Sequence, residues 1–412
     1  MIKRMILLIA SMTAINGFAQ TNRLDERIDA LSDRLISSRQ ATAVSVLLIK
    51  NGKTIYNKAF GYADVQTGQT LKTDNIFRIA SQTKAITSVA VMMLWEEGKI
   101  LLDDPISKYI PQFKSPKVLA KFNPADSSYT SVSAEREITI RDLLRHTSGI
   151  SFSVLSADDR IRAIHSKADI ATGIGSGGSL KNQIERLAIQ PLLHQPGSTF
   201  TYGLNHDVLG YLVEIISGMS LDDFFRKRLF VPLDMNDTYF KIPKEKANRL
   251  VSLYEKREGD FVKVDHPIYE GNKAEYPIED GIYFSGGAGL SSTTSDYAKF
   301  LHMLLNGGKY NGKQLLSKNT VELMLTNQLT DQIKKADGFQ FGLGVALITK
   351  DNKFTSPLSV GSFYWGGIYN TYYWVDPKKN IIGLAYTQEY GGYSEDIGHQ
   401  IKNVVYANID SL

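Results

Sequence analysis

Two residues three apart, Ser81 and Lys84, could together do nucleophilic chemistry. They lie in the stretch FRIASQTKAITSVAVMMLWEEGK, which begins at Phe77. A serine hydroxyl is a weak nucleophile until a neighbouring base removes its proton, and a lysine amine can be that base once it is uncharged. Ser-x-x-Lys is a short pattern that also arises by chance, so by itself it leaves the catalytic and the structural interpretation open.

A helix must hold the two side chains together. Apolar residues at Ile86, Val89, Met93 and Leu94 have helical spacing, and Gly98 is a typical helix stop. Residues three apart share one helix face, which lets the amine reach the hydroxyl. Burial and the positive end of the helix dipole both disfavour the ammonium form, so this position favours a lysine base.

A partner for proton transfer is expected in the stretch PGSTFTYGLNHDVLGYLVEIISG. Tyr202 lies there on a loop just before a predicted helix, and Asn205 follows it with an amide that could bind substrate. The chain has 21 tyrosines, so a packing role for Tyr202 is the competing interpretation.

The order of further motifs gives a resemblance to a known family. The pieces are FRIASQTKAIT, ITIRDLLRHTSGI, PGSTFTYGLNHDVLGYLVEIISG, PLDMNDTYF, GGAGLSSTTSDYAKF and WGGIYNTYYWVDP. From about Arg27 to its end the chain resembles the serine β-lactamase and penicillin-binding-protein superfamily. Within that superfamily it is most similar to the group of class C β-lactamases, D-alanyl-D-alanine carboxypeptidases and family VIII esterases.

The resemblance implies roles for individual residues. Ser81 would be the acylated nucleophile, with Lys84 and Tyr202 as the proton-transfer pair. The backbone N–H groups of Ser81 and Ile368 would form the oxyanion hole, which is usually a large catalytic contribution. No metal or other cofactor is expected, since the seven histidines show no metal-ligand spacing.

The chain departs from the β-lactamase pattern at two motifs. Tyr-x-Asn becomes Tyr202-Gly203-Leu204-Asn205, with Asn one place late, and the literal Tyr-Ala-Asn at Tyr406 is out of family order. Lys-Thr-Gly becomes Trp365, Gly366 and Gly367, which we expect to bind substrate. An indole replaces the cation that would favour a substrate carboxylate.

That replacement favours a particular substrate class. We expect a small-molecule ester, amide or peptide whose acyl side is apolar or aromatic, cleaved by a serine hydrolase of esterase type. A D-Ala-D-Ala carboxypeptidase or weak β-lactamase is the alternative enzyme, and a non-catalytic binding protein of the same fold is the alternative class. Asn370 stands where many relatives have glycine, and the sequence explains this only through the tolerance of Asn for unusual backbone angles.

Strands are predicted at both ends of the chain and helices between them. The predicted fold is α+β: an antiparallel sheet of N- and C-terminal strands flanked by helices, with an inserted, mostly helical region. We predict a signal peptide over 1–19 and one hydrolase domain over 20–412. Its sheet part is about 24–80 and 286–412, and its helical part about 81–285. The stretches Ser115–Arg136 and Ser151–Gly178 are predicted to be long loops, and GIGSGG (Gly173 to Gly178) is a flexible part of the second, not a nucleotide-binding motif.

Composition and the N-terminus limit where and with what the protein works. The net charge of +4, spread along the chain, does not indicate a nucleic-acid partner. There is no cysteine, so disulfides and thiolate sites are excluded. MIKRMILLIASMTAINGFAQ has the three-part layout of a secretory signal with cleavage after Ala19, which predicts a periplasmic or secreted protein without stable membrane insertion.

Overall fold

The structure is a computed structural model, and it describes residues 24–171, 173–174, 178–269, 271–331, 333, 338–391 and 396–409. The predicted signal peptide, half of GIGSGG (175–177) and the last residues (410–412) lie outside this part. No helix in the described part is long and apolar enough to cross a membrane.

Strands form one large sheet and several small ribbons. In chain order they are β1 (Ala43–Lys50), β2 (Lys53–Asp64), β3 (Gln69–Thr70), β4 (Phe77–Arg78), β5 (Lys117–Phe122), β6 (Tyr129–Ser133), β7 (Tyr254–Arg257), β8 (Asp260–Lys263), β9 (Ser291–Ser292), β10 (Lys309–Tyr310), β11 (Lys313–Gln314), β12 (Gln340–Phe341), β13 (Ala346–Leu347), β14 (Phe363–Gly367), β15 (Thr371–Asp376), β16 (Ile381–Tyr386) and β17 (Glu389–Tyr390).

The α-helices lie mostly between the two groups of sheet strands. They are α1 (24–37), α2 (Thr83–Glu96), α3 (Ile140–Leu144), α4 (Asp159–Lys167), α5 (Leu180–Ala188), α6 (Asn205–Ser217), α7 (Leu221–Phe225), α8 (Thr294–Leu305), α9 (Lys318–Met324) and α10 (Asp396–Tyr406).

The large sheet joins the two ends of the chain, as predicted. Its order is β12-β13-β14-β15-β16-β1-β2-β3, with every neighbouring pair antiparallel. The central pairing of β1 with β16 runs from Ser45 opposite Tyr386 to Lys50 opposite Ile381. This confirms the α+β class with N- and C-terminal strands in one sheet.

Each face of the sheet is covered by helices because alternate residues of a strand point to opposite faces. On one face Val44, Val46 and Leu48 of β1 join a core with α1 and α10. On the other face Leu47 joins the main core, to which α2 and α8 contribute. Helix α2 is buried at every residue from Thr83 to Leu94, so it is a central helix that is enclosed on all sides.

One of the two predicted long loops is a structured hairpin. Strands β5 and β6 pair antiparallel within Ser115–Arg136, so the prediction of a structureless loop is wrong there. The second stretch holds α4, and its residues from Ser151 to Asp158 reach the site described below.

Candidate active site

Ser81 lies in a short 3-10 turn, Ala80–Gln82, directly before α2. The preceding residue, Ala80, is buried and has φ +43°. A left-handed backbone is disfavoured for any residue with a Cβ, and such strained positions often mark functional sites. The turn places Ser81, which is partly exposed, among the residues that line a cavity of about 920 Å³.

Lys84 occupies the first turn of α2 and points toward Ser81. Its Nζ lies 3.1 Å from Ser81 Oγ and donates to the Gly287 carbonyl at 2.8 Å. Only 1% of Lys84 is exposed. The predicted amine–hydroxyl contact is therefore present, and the lysine is held in place by a backbone oxygen.

Tyr202 lies beside this pair on the loop before α6. The Lys84 Nζ is 4.5 Å from the centre of the Tyr202 ring. The Tyr202 hydroxyl accepts a hydrogen bond from Trp365 Nε1 at 3.3 Å, and within the described residues it makes none to Ser81 or Lys84. The structure thus brings the three residues together, while the hydroxyl is directed to the indole.

Trp365 and Gly366, near the C-terminal end of β14, line the same cavity as Ser81, and so does Ile368 in the turn that follows. Gly367 packs closely against the backbone before Ser81: a Cβ at this position would lie 2.4 Å from the Ile79 carbonyl oxygen. Close approach of two backbones explains why glycine is needed at this position. This close approach also places the turn that contains the Ile368 N–H next to the turn that contains Ser81.

Asn205 does not reach the cavity, so its predicted role in substrate binding needs correction. The residue is fully buried at the start of α6. Its amide donates to His146 Nδ1 at 2.9 Å and to the Ile150 carbonyl at 3.4 Å, and its oxygen accepts from the Ser148 hydroxyl. These bonds hold the loop after α3 and leave no free group for a substrate.

Two histidines fill the space behind Tyr202. The His146 ring is 4.6 Å from the Tyr202 ring and 4.9 Å from the His206 ring. His206 Nε2 contacts Ser88 Oγ at 3.0 Å. Burial and the neighbouring charges lower the pKa of both rings well below the usual value, so they pack as neutral groups. These contacts give His146 a structural role.

Sequence reasoning gave no role to Asp207, although its stretch was singled out. The carboxyl is buried, and the Tyr283 hydroxyl donates to it at 3.2 Å. Burial raises its pKa to about 6, although hydrogen bonds from Ser285, Tyr283 and Gly287 and the charge of Lys84 act in the other direction. A carboxylate near Lys84 supplies a counter-charge behind the site. Only the structure reveals this, because burial of a charged residue has no sequence signal.

The cavity is mainly aromatic and aliphatic. The apolar and aromatic side chains of its lining are Phe152, Leu155, Ala157, Ile174, Leu193, Phe200, Tyr202, Ala288, Phe339, Tyr364, Trp365 and Ile368. The lining has one charged residue among the described ones, Asp158, whose carboxylate pairs with Arg160 at 2.7 Å. The described residues contain no cluster that could hold a metal ion.

Tyr406 and Asn370, the two other residues considered from the sequence, have well-defined places in the fold. Tyr406 ends α10, its hydroxyl donates to Asp376 at 2.9 Å, and it is not among the residues that line the cavity with Ser81, as expected of a residue outside the motif. Asn370 has φ +63°, which agrees with the tolerance of Asn for this region.

Comparison with known proteins gives the family. The Beta-lactamase family profile matches residues 24–405. Protein Rv1367c of Mycobacterium tuberculosis (strain H37Rv) is 33% identical over 356 residues, covering 84% of this chain and 85% of that protein. Esterase EstB of Burkholderia gladioli is 28% identical over 398 residues, covering 93% and 95%.

A solved structure agrees with this result. EstCE1, described as a hydrolase with promiscuous acyltransferase activity, superposes with a TM-score of 0.81 at 26% identity, covering 94% of this chain and 99% of that one. The match of the family profile over most of the chain, together with these similarities, shows that this chain belongs to the Beta-lactamase family.

Proposed function

We propose that the protein is a serine esterase that forms an acyl-enzyme on Ser81. Ser81 Oγ attacks the ester carbonyl, and Lys84 with Tyr202 passes the hydroxyl proton to the departing alkoxide. The N–H groups of Ser81 and Ile368 stabilise the oxyanion. Water then attacks the acyl-enzyme and releases the acid. The observation that carries the proposal is the 3.1 Å contact of Lys84 Nζ with Ser81 Oγ beside an apolar cavity.

The lining of the cavity indicates the substrate class. A substrate carboxylate is best recognised by Lys or Arg, and no such residue lines the described cavity. Trp365 offers one neutral donor and an apolar face, and that donor is directed to Tyr202. An uncharged ester or amide with an apolar or aromatic acyl group is therefore the substrate that fits.

Removal of the nucleophile tests the proposal. Ser81→Ala should abolish hydrolysis of p-nitrophenyl butyrate and the mass increase caused by a fluorophosphonate probe. Ser151→Ala is the matched control, since Ser151 lines the same cavity and its hydroxyl contacts that of Ser156 at 2.9 Å. Undiminished turnover by Ser81→Ala would refute the proposal, and the absence of labelling in the parent protein would support a non-catalytic binding role.

A D-Ala-D-Ala carboxypeptidase or weak β-lactamase remains the alternative, and a fluorescent penicillin separates it from an esterase. Both alternative activities need a site for a substrate carboxylate, which Trp365 does not supply. We expect no stable labelling of Ser81 by the penicillin and slow nitrocefin turnover. Efficient labelling or turnover would reverse the choice.

Acyl transfer is a second candidate, favoured by the similarity to EstCE1 and by the apolar lining. An acyl-enzyme in such a cavity can pass its acyl group to an alcohol instead of water. Addition of butanol to a p-nitrophenyl ester assay should then yield the butyl ester. Release of the free acid alone would exclude this activity.

We also propose that the protein is exported, because of the signal-like segment over 1–19. Expression with its own N-terminus, followed by mass spectrometry of the periplasmic fraction, should find a chain that begins at Gln20. Recovery of the full-length chain in the cytoplasm alone would contradict export.

A further inference from the structure

The turn that carries Ile368 is a three-residue hairpin loop, Ile368-Tyr369-Asn370, between β14 and β15. The Asn370 N–H donates to the Gly367 carbonyl at 2.9 Å, and Asn370 itself has φ +63°. Loops of this length end in a residue with left-handed backbone, where Gly and Asn are preferred. Glycine would satisfy the backbone equally well, so the side chain of Asn370 calls for a separate explanation.

The turn is held from two sides. On the side of the nucleophile, Gly367 lies against the Ile79 carbonyl, to which Thr371 Oγ1 donates at 3.5 Å. On the other side, Asn370 Nδ2 donates to Glu389 Oε2 at 2.8 Å, and the Glu389 N–H donates to the Tyr369 carbonyl at 3.3 Å. Glu389 thus contacts the two residues that follow Ile368.

Glu389 is an unusual group to find in this place. It is 8% exposed, and its second oxygen, Oε1, has no hydrogen-bond partner among the described residues. A buried carboxylate without an ion pair costs free energy, so its presence calls for a role beyond packing. Burial raises its pKa to about 7, while the Asn370 bond and Lys256 act in the other direction.

The charged groups around Glu389 come from neighbouring elements. Glu389 pairs with Tyr254 of β7, and the next two residues of that strand are Glu255 and Lys256. A second cavity of about 520 Å³ lies behind the turn, and Glu389, Glu255, Lys256 and Asp396 at the start of α10 all line it. Of these charged groups, Lys256 favours the ionised form of Glu389.

We propose that Glu389, acting through Asn370, is a positioning residue that holds the Ile368 N–H toward the reacting oxygen at Ser81, and that ionisation of Glu389 raises turnover. The proposal rests on the proposed function, because it needs an oxyanion to form at Ser81. The ionised carboxylate is the stronger acceptor for the Asn370 amide, since charge-assisted hydrogen bonds are about twice as strong as neutral ones. The turn is therefore held more tightly when Glu389 is charged.

Three variants test the proposal: Glu389→Gln, Asn370→Gly and, as a control, Glu255→Gln. Gln keeps an acceptor oxygen but no charge, and Gly keeps the left-handed backbone without the amide. Glu255 lines the cavity behind the turn but its carboxylate contacts Arg257 and His266. All rates are divided by the concentration of sites that a fluorophosphonate labels, so that partial unfolding does not count as lost turnover.

The ratio of parent kcat to Glu389→Gln kcat should rise from about 1 at pH 5.5 to ~5-fold at pH 8.5. The ratio cancels the titration of groups common to both proteins. Asn370→Gly should lower kcat at pH 8.5 by ~10-fold with KM changed less than about twofold, because the lost effect belongs to the transition state. Glu255→Gln should match the parent.

Either of two results would overturn the inference. The first is a ratio of parent kcat to Glu389→Gln kcat that does not rise with pH, whether it stays constant or falls. The other is Asn370→Gly with the parent kcat. Both are distinguishable from failure of the proposed function, which would show as a parent protein that no fluorophosphonate labels or as a Ser81→Ala variant that keeps its activity.

Discussion

Replacement of the buried carboxyl of Glu389 by an amide should change the pH dependence of stability in a defined direction. The folded-state pKa of Glu389 is raised to about 7 from the usual 4.5, chiefly by burial. Folding therefore favours the protonated form. The stability associated with that form is fully present below about pH 4.5 and is lost as the pH rises through 7.

The size of the effect follows from the two values. The difference between 7 and 4.5 is 2.5 units, and each unit corresponds to about 1.4 kcal/mol, so the parent loses on the order of 3 kcal/mol of unfolding free energy across this range. Glu389→Gln has no proton to lose. Its unfolding free energy relative to the parent should therefore rise by about 3 kcal/mol between pH 4 and pH 8.5.

Urea denaturation at half-unit pH steps measures this difference for both proteins. Asp207, whose pKa is also raised, to about 6, contributes equally to both curves and cancels. Glu255→Gln is a control of opposite sign. Burial raises the pKa of Glu255, but hydrogen bonds from His266 and Arg257 outweigh it and lower the value. Loss of that carboxylate should destabilise the protein at neutral pH and have less effect in acid.

A difference between Glu389→Gln and the parent that stays constant from pH 4 to 8.5 would refute the reasoning. It would mean that the carboxyl titrates alike in the folded and unfolded chain, which is incompatible with burial beside Asn370. If the unfolding free energy of Glu389→Gln relative to the parent decreased as the pH rises, Lys256 would stabilise the ionised carboxylate of Glu389 more than burial destabilises it.

Three further substitutions test other parts of the site. Gly367→Ala places a methyl group 2.4 Å from the Ile79 oxygen and should lower kcat by at least ~10-fold in ester hydrolysis, whereas Gly281→Ala, which meets nothing within 4 Å, should leave it unchanged. Trp365→Phe removes the donor to the Tyr202 hydroxyl and should lower kcat ~5-fold, as expected for one neutral hydrogen bond. An unchanged kcat would show that this hydrogen bond does not contribute to catalysis. Asn205→Ala leaves buried polar partners unpaired and should cost about 1–3 kcal/mol in urea denaturation without raising KM, whereas a raised KM at parental stability would restore a substrate-binding role.

Local spacing predicted the central contact of the site well. Ser81 and Lys84 lie one turn apart, and a helix fixes that relation whatever the rest of the fold does. The antiparallel sheet of N- and C-terminal strands followed from the distribution of strand patterns along the chain. Placement of Trp365 beside Tyr202 joins segments more than 160 residues apart, so only the ordered motifs of the family could indicate it.

Predictions failed where burial or side-chain direction decided the outcome. Asn205 follows Tyr202 closely, yet as the first residue of α6 its amide points into the protein toward His146. Strands β5 and β6 lie in a stretch read as a loop because exposed residues dominate them, which leaves little apolar alternation to detect. Asp207 and Glu389 look like surface acids in the sequence, and their raised pKa values come from contacts made only in the folded chain.

The contacts of Lys84 also bear on the choice of substrate. This is the cation nearest to Ser81 among the described contacts, and it could in principle attract a carboxylate. However, its Nζ is already directed to the Gly287 carbonyl and Ser81 Oγ, lies over the Tyr202 ring and is almost fully buried. Asp207 behind it offsets its charge. The substrate therefore meets a surface of neutral donors and aromatic rings, which favours an uncharged ester over an anionic peptide or lactam.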